Sequence, residues 1–425
     1  MERHGVRNCE AIELGLREAL FKDGRRLLEQ LYAGTELSIP NNASLPGEKC
    51  HPGRKLQMHS IFGPVELHRN YFYSEESGTG RFPLDGALGL VESFSPALVR
   101  LTARAAAREG YAAAGEDVAA LAGISIEGRQ IHRLGNQVGG KVALALEQNP
   151  NPDPKPIPIM YVEVDATGVP MVADELAGRK GKQEDGTSKT REVKLGCVFT
   201  QTKVDEETGL PLRDPDSTTY IGNFQTAEDF GGHIRHEALR RGLGRAVKIA
   251  VLGDGAPWIW ELARVNFPSA IWIVDLYHAL ERLHTLCQGL YANQSSWAAR
   301  TEEKWKQMLK NDQVLEMIAE ARKRLDDLGP QTDDSLEKQI AYFDNQKTRM
   351  LYKTYRDQGL FYGSGVVEAG CKAVIGQRLK ESGMFWTKSG ATNVLALRCA
   401  LKSHRWDECW NHINNSDYLK IKVAA

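Results

Sequence analysis

The chain has 425 residues, of which 42% are apolar and 26% charged, and its formal net charge is −1. This composition is typical of a soluble globular protein with two or three domains, and the overall charge gives no sign of nucleic-acid binding. No apolar run approaches the roughly 18 residues that span a bilayer, the N-terminus is too charged for a signal peptide, and the scattered cysteines give no disulfide framework. We therefore expect a cytoplasmic protein with no membrane partner.

Proline occupies every second position from Pro150 to Pro158, which forces an extended spacer and forbids a helix there. After this spacer, apolar strands alternate with helices, so the predicted fold class is α/β, a mixed sheet with an all-helical insertion. In chain order, we predict an N-terminal α+β region at 1–94, a helical region at 95–148, the linker at 149–158, a mixed α/β domain at 159–279 and 357–412, and a helical insertion at 280–356.

The N-terminal region begins with a helical pattern near residues 10–33. Two strand-like runs, RKLQMHSIFG and PVELHRNYFY, then predict an antiparallel pair that turns at Gly63–Pro64. The run SPALVRLTARAAAREG predicts a helix with Ser95 as its N-cap.

The stretch from Gly115 to Gln137 has the pattern of a helix-turn-helix. A short helix, a glycine turn at Gly123 and a second helix from about Glu127 fit this motif, although any two short helices joined at glycine look similar. As a DNA-recognition helix, the second helix would present Arg129, Gln130 and Arg133.

Four strand-like runs follow the spacer. IPIMYVEVDATGVPMV is predicted to end or turn at Asp165–Gly168, and REVKLGCVFTQ follows it. AVKIAVLGDGA stops at Asp254, and SAIWIVD stops at Asp275. A helix capped by Thr226 lies between the second and third runs, which makes the sheet a mixed α/β sheet covered on its faces.

An acid at the end of each of two strands and an isolated later acid form an ordered set: Asp165, Asp254 and Glu368. Strand ends are where ligands bind in α/β sheets, although aspartate also caps turns routinely. Glu368 lies among small and apolar residues, where an ionised carboxylate is costly without a cation. Converging carboxylates repel one another and select Mg²⁺ or Mn²⁺, so we expect two divalent ions at this site.

Positive charge is concentrated in two stretches, at 372–405 and at 233–248. Each patch on its own is better explained by a solvated helix face. Within the first stretch, Lys372 lies one helical turn after Glu368, and Arg378 and Lys380 follow, so these three cations are candidate phosphate contacts.

The order of strand Asp, strand Asp, helical insertion and helix Glu resembles the RNase H-like DDE transposases, with gaps of 254 − 165 = 89 and 368 − 254 = 114 residues. The blocks DATG, GDGA and GSGVVEAGCK resemble the catalytic blocks of bacterial insertion-sequence transposases of the ISKra type, relatives of the Mutator-like elements. DLYH, Asp275 to His278, resembles their C/D-x-x-H signature, and QRLKESGMFW resembles the block after the catalytic Glu.

The resemblance implies an RNase H-like core in which Asp165, Asp254 and Glu368 hold the metals. It implies double-stranded DNA as partner, both the terminal inverted repeats of an element and a target, and action as at least a dimer. Asp275 and His278 would shape the DNA near the metals, although an aspartate there also caps a helix. Trp386 is either a core residue or a ring that stacks on an extruded base.

One departure concerns zinc. Relatives place a C-x-x-C pair after the aromatic strand, whereas this chain has Ser74 and Ser77 there, and Cys50 has no near cysteine partner. Serine does not serve as a zinc ligand, so the structural zinc of the relatives is in doubt here and we do not predict it. A second grouping has no standard spacing and is better explained by buried helical residues: Cys399, His404, Cys409 and His412.

The leading hypothesis is a DNA transposase that cuts and joins DNA with two metals. A nuclease of the same fold that cuts without joining needs the same three acids. A domesticated, non-catalytic DNA-binding protein is favoured by the missing cysteines and disfavoured by the retained acids. A sugar hydrolase with a carboxylate pair has no support beyond the presence of acids.

Overall fold

The computed structural model describes residues 8–38, 44–148, 155–181, 188–292, 294–329 and 334–414. The described residues form two compact units. One comprises the chain up to Val142 together with the residues from Asp407, and the other runs from Ala143 to Trp406. Most of the predicted linker, residues 149–154, lies outside the described residues.

The first unit contains the predicted helix and hairpin. The strands β1 and β2 pair antiparallel from Glu48↔Ser74 to Ser60↔Gly63, so the turn lies at Ile61–Phe62, just before the predicted Gly63–Pro64. Ser95 caps its helix as predicted, because its side chain accepts a hydrogen bond from the backbone N–H of Leu98. The elements are α1 Cys9–Ser38, β1 Glu48–Ser60, β2 Gly63–Ser74, β3 Thr79–Arg81, α2 Pro83–Ala87, α3 Pro96–Arg108, α4 Tyr111–Asp117 and α5 Gly128–Leu146.

The predicted pair of helices around Gly123 is present as α4 and α5. A π-helical turn, Val118–Ala122, follows α4, and Gly123 ends it with φ of 69°, a conformation that glycine adopts without strain. The second helix begins at Gly128, one residue after the predicted start.

A five-stranded mixed sheet forms the centre of the second unit. Its strands are β4 Ile157–Pro170, β5 Thr190–Gln201, β8 Thr219–Asn223, β9 Ala246–Gly253 and β10 Ile271–Val274, and the short strands β6 Lys203–Val204 and β7 Pro211–Leu212 pair separately. The spatial order is β10-β9-β4-β5-β8, with β5 antiparallel to both neighbours. This mixed α/β sheet is consistent with the expected RNase H-like core.

The prediction that the first of these strands ends at Asp165–Gly168 is wrong. β4 continues to Pro170 because β5 pairs with it along its whole length, from Ile159↔Gln201 to Pro170↔Thr190. The parallel neighbour β9 stops pairing at Glu163↔Leu252. Asp165 therefore lies just beyond the parallel pairing with β9, at a point where β4 is still paired with β5.

Helices cover the sheet and fill the region after β10. They are α6 Ala227–Arg240, α7 Pro257–Asn266, α8 Leu276–Leu290, α9 Ser295–Lys310, α10 Val314–Asp327, α11 Ser335–Gln346, α12 Tyr352–Asp357, α13 Gly365–Gly370, α14 Gln377–Leu379 and α15 Lys388–Lys402. The last helix, α16 Trp406–Asn414, belongs from Asp407 onwards to the first unit. A π-helical segment, Cys371–Gly376, joins α13 to α14. Among the described residues, no helix is both long and apolar enough to cross a membrane.

Helix α13 lies close to the sheet because Gly370 carries no side chain. A Cβ atom at this position would come within 2.5 Å of the Tyr220 ring on β8 and 3.1 Å of Leu195 on β5. Any larger residue would lift the helix that carries Glu368 away from the strands.

The cations of the stretch at 372–405 divide between the surface and the interior. Arg378, Arg398 and Arg405 are 0 to 4% exposed, so the stretch is not a continuous charged surface. Arg398 donates to the carbonyls of Ala373 and Val374 within the π-helical segment. Arg405 lies beside a buried carboxylate, and partners of this kind compensate the burial of a guanidinium.

The buried carboxylate is Glu237 on α6, which is 0% exposed. It accepts two hydrogen bonds from Arg240, both at 2.8 Å, and lies 3.4 Å from Arg405. Removing one member of such a network leaves uncompensated charge inside the protein.

We expect Glu237→Gln to lower the free energy of unfolding by about 3–5 kcal/mol, since it leaves buried guanidinium groups without their counter-charge. The matched control is Glu261→Gln, which breaks a Glu–Arg pair of the same spacing on α7 whose side chains are 63% and 64% exposed. Exposed pairs contribute little, so this change should leave unfolding in urea nearly unaltered. Equal shifts for the two variants would contradict the assignment.

Candidate functional site

A pocket of about 410 Å³ opens between the end of the parallel sheet and the helix that carries Glu368. Its walls come from β4, the first turns of α8, and the helix that runs from α13 to α14. The lining residues combine carboxylates with cations: Asp165, Thr167, Tyr277, His278, Glu281, Glu368, Cys371, Lys372, Gly376 and Lys380.

Asp165 and Asp254 lie where the pairing between the neighbouring parallel strands β4 and β9 ends. Asp165 is half-buried, and its Oδ1 accepts a hydrogen bond from the backbone N–H of Ala166 at 2.7 Å. Asp254 follows β9 directly, as predicted, and its Oδ1 accepts from the N–H of Ala256 at 2.8 Å. Tyr342 on α11 donates to the Asp254 carbonyl at 2.9 Å, which fixes this loop from the helical side.

Glu368 lies in the first turn of α13, and its side chain is 40% exposed into the pocket. Ser364 donates its hydroxyl to Glu368 Oε1 at 3.0 Å. His278 Nδ1 lies 3.9 Å from the same oxygen. His278, when protonated, therefore places a positive charge beside Glu368.

Asp275 holds that histidine in place. Its carboxylate is 0% exposed, caps α8 by accepting the backbone N–H of His278 at 2.8 Å, and accepts the backbone N–H of Ser364. Burial by itself raises the pKa of Asp275, but the hydrogen bonds from His278 and Ser364 outweigh it, and the net shift is downward. Asp275 is therefore ionised, and its oxygens accept hydrogen bonds from two backbone segments.

The Asp275 carboxylate raises the pKa of His278 to about 9, against the opposing effect of burial, and Asp254 adds to the rise. The distance from His278 Nδ1 to Asp275 Oδ1 is 3.4 Å. His278 is thus an imidazolium at neutral pH, and its charge lies among Asp254, Asp275 and Glu368.

The sequence analysis missed Glu163, two residues before Asp165 and on the same face of β4. It is 0% exposed, and its Oε2 accepts the backbone N–H of Val367 at 2.8 Å. Burial raises the pKa of Glu163 to about 8, helped by the charges of Asp275 and Glu368. An acid inside an otherwise apolar strand was the available signal. Glu163 anchors the start of α13 in its protonated form.

Two further pocket residues were also missed. Cys371 Sγ donates to Asp165 Oδ2 at 3.3 Å, and burial, together with that carboxylate, raises the pKa of the thiol. Cys371 is therefore a neutral donor to Asp165. Tyr277 is 66% exposed and is the aromatic ring that lines the pocket.

Among the described residues, the group with ligand atoms within 4.8 Å of one another consists of Asp275, His278 and Glu368. In this trio the Asp275 oxygens already accept backbone N–H groups, and His278 would have to lose its proton to bind a metal. Asp165 and Glu368 face the pocket with hard oxygen donors, and Asp254 lies close enough for its charge to act on His278. These three carboxylates fit Mg²⁺ or Mn²⁺ by their donor chemistry.

The predicted DNA contacts separate into exposed and buried residues. Lys372 and Lys380 are exposed at the pocket, and Lys380 Nζ donates to Thr167 Oγ1 at 2.5 Å. The prediction of a phosphate contact for Arg378 is wrong, because this side chain is 0% exposed, with its guanidinium 5.1 Å from the Trp386 ring centre. The π-helical segment after Glu368 turns Arg378 away from the pocket.

Trp386 is 6% exposed and donates its indole N–H to the Leu379 carbonyl at 3.0 Å. Its backbone forms a β-bridge with Met171. The core interpretation is therefore correct, and stacking of this ring on an extruded base is ruled out in this conformation.

The residues predicted for a recognition helix lie at the start of α5. Arg129 is exposed. Gln130 is half-buried, and its side-chain oxygen accepts the backbone N–H of Glu127 at 3.0 Å, so it caps its own helix. Arg133 is exposed and forms an ion pair with Glu92 at 2.6 Å.

The hairpin residues that replace the family's cysteines interact with one another. Ser77 donates its backbone N–H to Ser74 Oγ at 3.3 Å, and its hydroxyl lies 2.7 Å from that of Thr79. Cys50 is exposed on β1. Of the second grouping, Cys399 and Cys409 are buried in helices, as predicted, whereas the prediction of burial is wrong for His404 and His412, which are exposed.

Comparison with known proteins finds no matching protein family and no matching curated protein. Among solved structures, a chain of the Drosophila P element transposase strand transfer complex aligns with 78% of this chain and 83% of its own length. The two are 10% identical, with a TM-score of 0.29. At this level the likeness carries no functional argument, which must come from the site.

We expect the His278 imidazole to titrate near pH 9 in an NMR experiment on the folded chain. Because this pKa lies above the ordinary 6.5, the charged pair stabilises the fold fully below pH 6.5, and that stabilisation is lost as the pH rises through 9. Asp275→Asn should move the titration down towards 6.5. An unchanged value in that variant would show that Asp275 is not the cause.

Proposed function

We propose that this chain is a metal-dependent DNA transposase of the DDE type, which cuts DNA at the terminal inverted repeats of its element and joins the ends to a target. The observation that carries the proposal is the pocket that Asp165 and Glu368 both line, together with Lys372 and Lys380. The sequence blocks around Asp165, Asp254 and Glu368 support the same assignment.

Three features of the fold support a shared site for the carboxylates. Asp165 and Asp254 follow the paired parts of adjacent parallel strands, whose ends meet at one edge of the sheet. Glu368 lies on a helix that Glu163 and Gly370 hold against that sheet. Asp254 and Glu368 both lie near the charge of His278.

Asp165, Asp254 and Glu368 would hold two divalent ions, which when bound activate an attacking oxygen and stabilise the leaving oxygen of a phosphodiester. In cleavage, the water oxygen bonds to phosphorus, the P–O3′ bond breaks, and the departing oxygen takes a proton to become the 3′-hydroxyl. In joining, that hydroxyl attacks a phosphorus of the target in the same way. Asp254 Oδ2 and Glu368 Oε2 accept no hydrogen bond from the described residues. In this proposal these two oxygens would bind the metals.

The cations of the pocket have separate roles in this proposal. Lys372 and Lys380 are exposed and bind phosphates on either side of the cut. His278 stays protonated and offsets the repulsion between the carboxylates before metal and DNA bind. Tyr277, whose ring is exposed at the pocket, contacts the DNA next to the cut in place of the buried Trp386.

We expect Asp165→Asn, Asp254→Asn and Glu368→Gln each to reduce cleavage of DNA carrying the flanking inverted repeats by more than about 100-fold in Mg²⁺ or Mn²⁺. The loss of a metal ligand should exceed the 10–100-fold loss that follows removal of an outer-shell partner. DNA binding in a gel-shift assay should remain.

The control is Glu281→Gln, which removes an exposed carboxylate from the same pocket without touching the proposed triad. It should retain cleavage. Full activity in any of the three triad variants would refute the mechanism, and end-specific nicks without joined products would identify a nuclease instead.

We expect Lys372→Ala and Lys380→Ala each to lower the slope of log K against log salt by about one unit, as for one lost phosphate contact. The control is Lys304→Ala, since Lys304 pairs with Glu320 at 2.6 Å beside a different cavity. An unchanged slope in both pocket variants would remove these lysines from the DNA interface.

A further inference from the structure

Helix α1 packs on the hairpin with one face. Phe21 meets Phe62 edge to face, with ring centres 5.9 Å apart, and Leu28 and Tyr32 pack against the hairpin core. A Cβ atom at Gly24 would come within 2.7 Å of Phe62, so helix and hairpin are in close contact. This face accounts for the attachment of α1 to its own unit.

A second apolar face of the same helix is uncovered. Its five aliphatic side chains are 54 to 61% exposed: Ile12, Leu16, Leu20, Leu27 and Leu31. At about 100° per residue they fall within an arc of about 100°, over a length of roughly 28 Å. We call these five residues the apolar strip. Among the described residues, no element buries it.

Such a strip is unusual on the surface of a soluble protein. Single exposed leucines are ordinary, whereas a continuous apolar stripe marks an interaction site. Asp23 falls within the same arc, midway along the strip, and pairs with Arg26 at 3.7 Å. The charges at the strip are therefore mixed, and it lacks the lysine- and arginine-rich flank of a helix that lies on a membrane.

We propose that the apolar strip binds the same strip of a second copy of this chain in an antiparallel helix pair. The strip matches itself when reversed: with the twofold axis between Asp23 and Gly24, Leu20 faces Leu27 of the second copy and Leu16 faces Leu31. A twofold interface requires this self-complementarity. Asp23 and Arg26 then lie near the axis, where they pair with the opposite charges of the other copy.

The area is sufficient for a specific dimer. Covering the exposed parts of five aliphatic side chains on each of two copies, with the residues between them, removes on the order of 1,000 Å², the threshold for a specific interface. The proposal does not depend on the DNA chemistry assigned to the other unit.

The first test measures the mass of the full chain by light scattering, with a concentration series. The wild type should be a dimer, and Leu20→Glu should weaken the dimer by at least about 30-fold, the loss at a hot-spot residue. The matched control is Leu14→Glu. Leu14 is on the same helix and is 54% exposed, but its side chain leaves the helix about 120° away from that of Leu20. This variant should remain a dimer. A monomeric wild type, or equal effects of the two changes, would overturn the proposal.

A second test decides the partner and the orientation. Leu20→Glu and Leu27→Lys chains should each be monomeric, and mixing them should restore a heterodimer, because the two substituted positions face each other only in the antiparallel pair. Circular dichroism of each variant checks that α1 is still folded. If mixing restores nothing while the single variants are folded, the strip does not pair in this way.

Discussion

The candidate site depends on one buried carboxylate, that of Asp275. An ionised group that is 0% exposed must have all its hydrogen-bonding capacity used, and here the partners are the backbone of α8, the backbone of Ser364 and the charge of His278. Two chain segments, the start of α8 and the loop at Ser364, which lies 89 residues after Asp275, are thereby tied to one point. Glu368 lies four residues after Ser364, so the hydrogen bond between Ser364 and Asp275 also positions Glu368.

Glu163, a second buried acid beside the pocket, also binds the backbone. Held protonated by burial, it accepts one backbone N–H from the start of α13 and adds no charge beside Asp165. The pocket therefore separates two kinds of carboxylate. Asp275 and Glu163 are inside and serve the backbone, whereas Asp165 and Glu368 line the open space. This division leaves the lining carboxylates for chemistry.

Positive charge is divided in a similar way. In the stretch at 372–405, Arg398 and Arg405 are buried against carbonyls and Glu237, because a guanidinium offers several donors in a plane and tolerates burial when they are satisfied. Lys372 and Lys380 of the same stretch remain exposed at the pocket. The π-helical segment contributes to this outcome, since its wider turn rotates Arg378 from the face of Glu368 towards the interior, and Arg398 binds carbonyls of that segment.

The sequence by itself determined the strands that end at Asp254 and Asp275, the caps at Ser95 and Thr226, and the helices around Gly123, because apolar periodicity, capping chemistry and glycine turns are local signals. It also identified Asp165 and Glu368, which lie in one pocket. Tertiary structure alone decided the length of β4, which depends on pairing with β5, and the burial of Arg378 and Trp386, which depends on packing between distant segments. The imidazolium of His278 is likewise a tertiary result, since its pKa follows from the carboxylates that the fold brings around it.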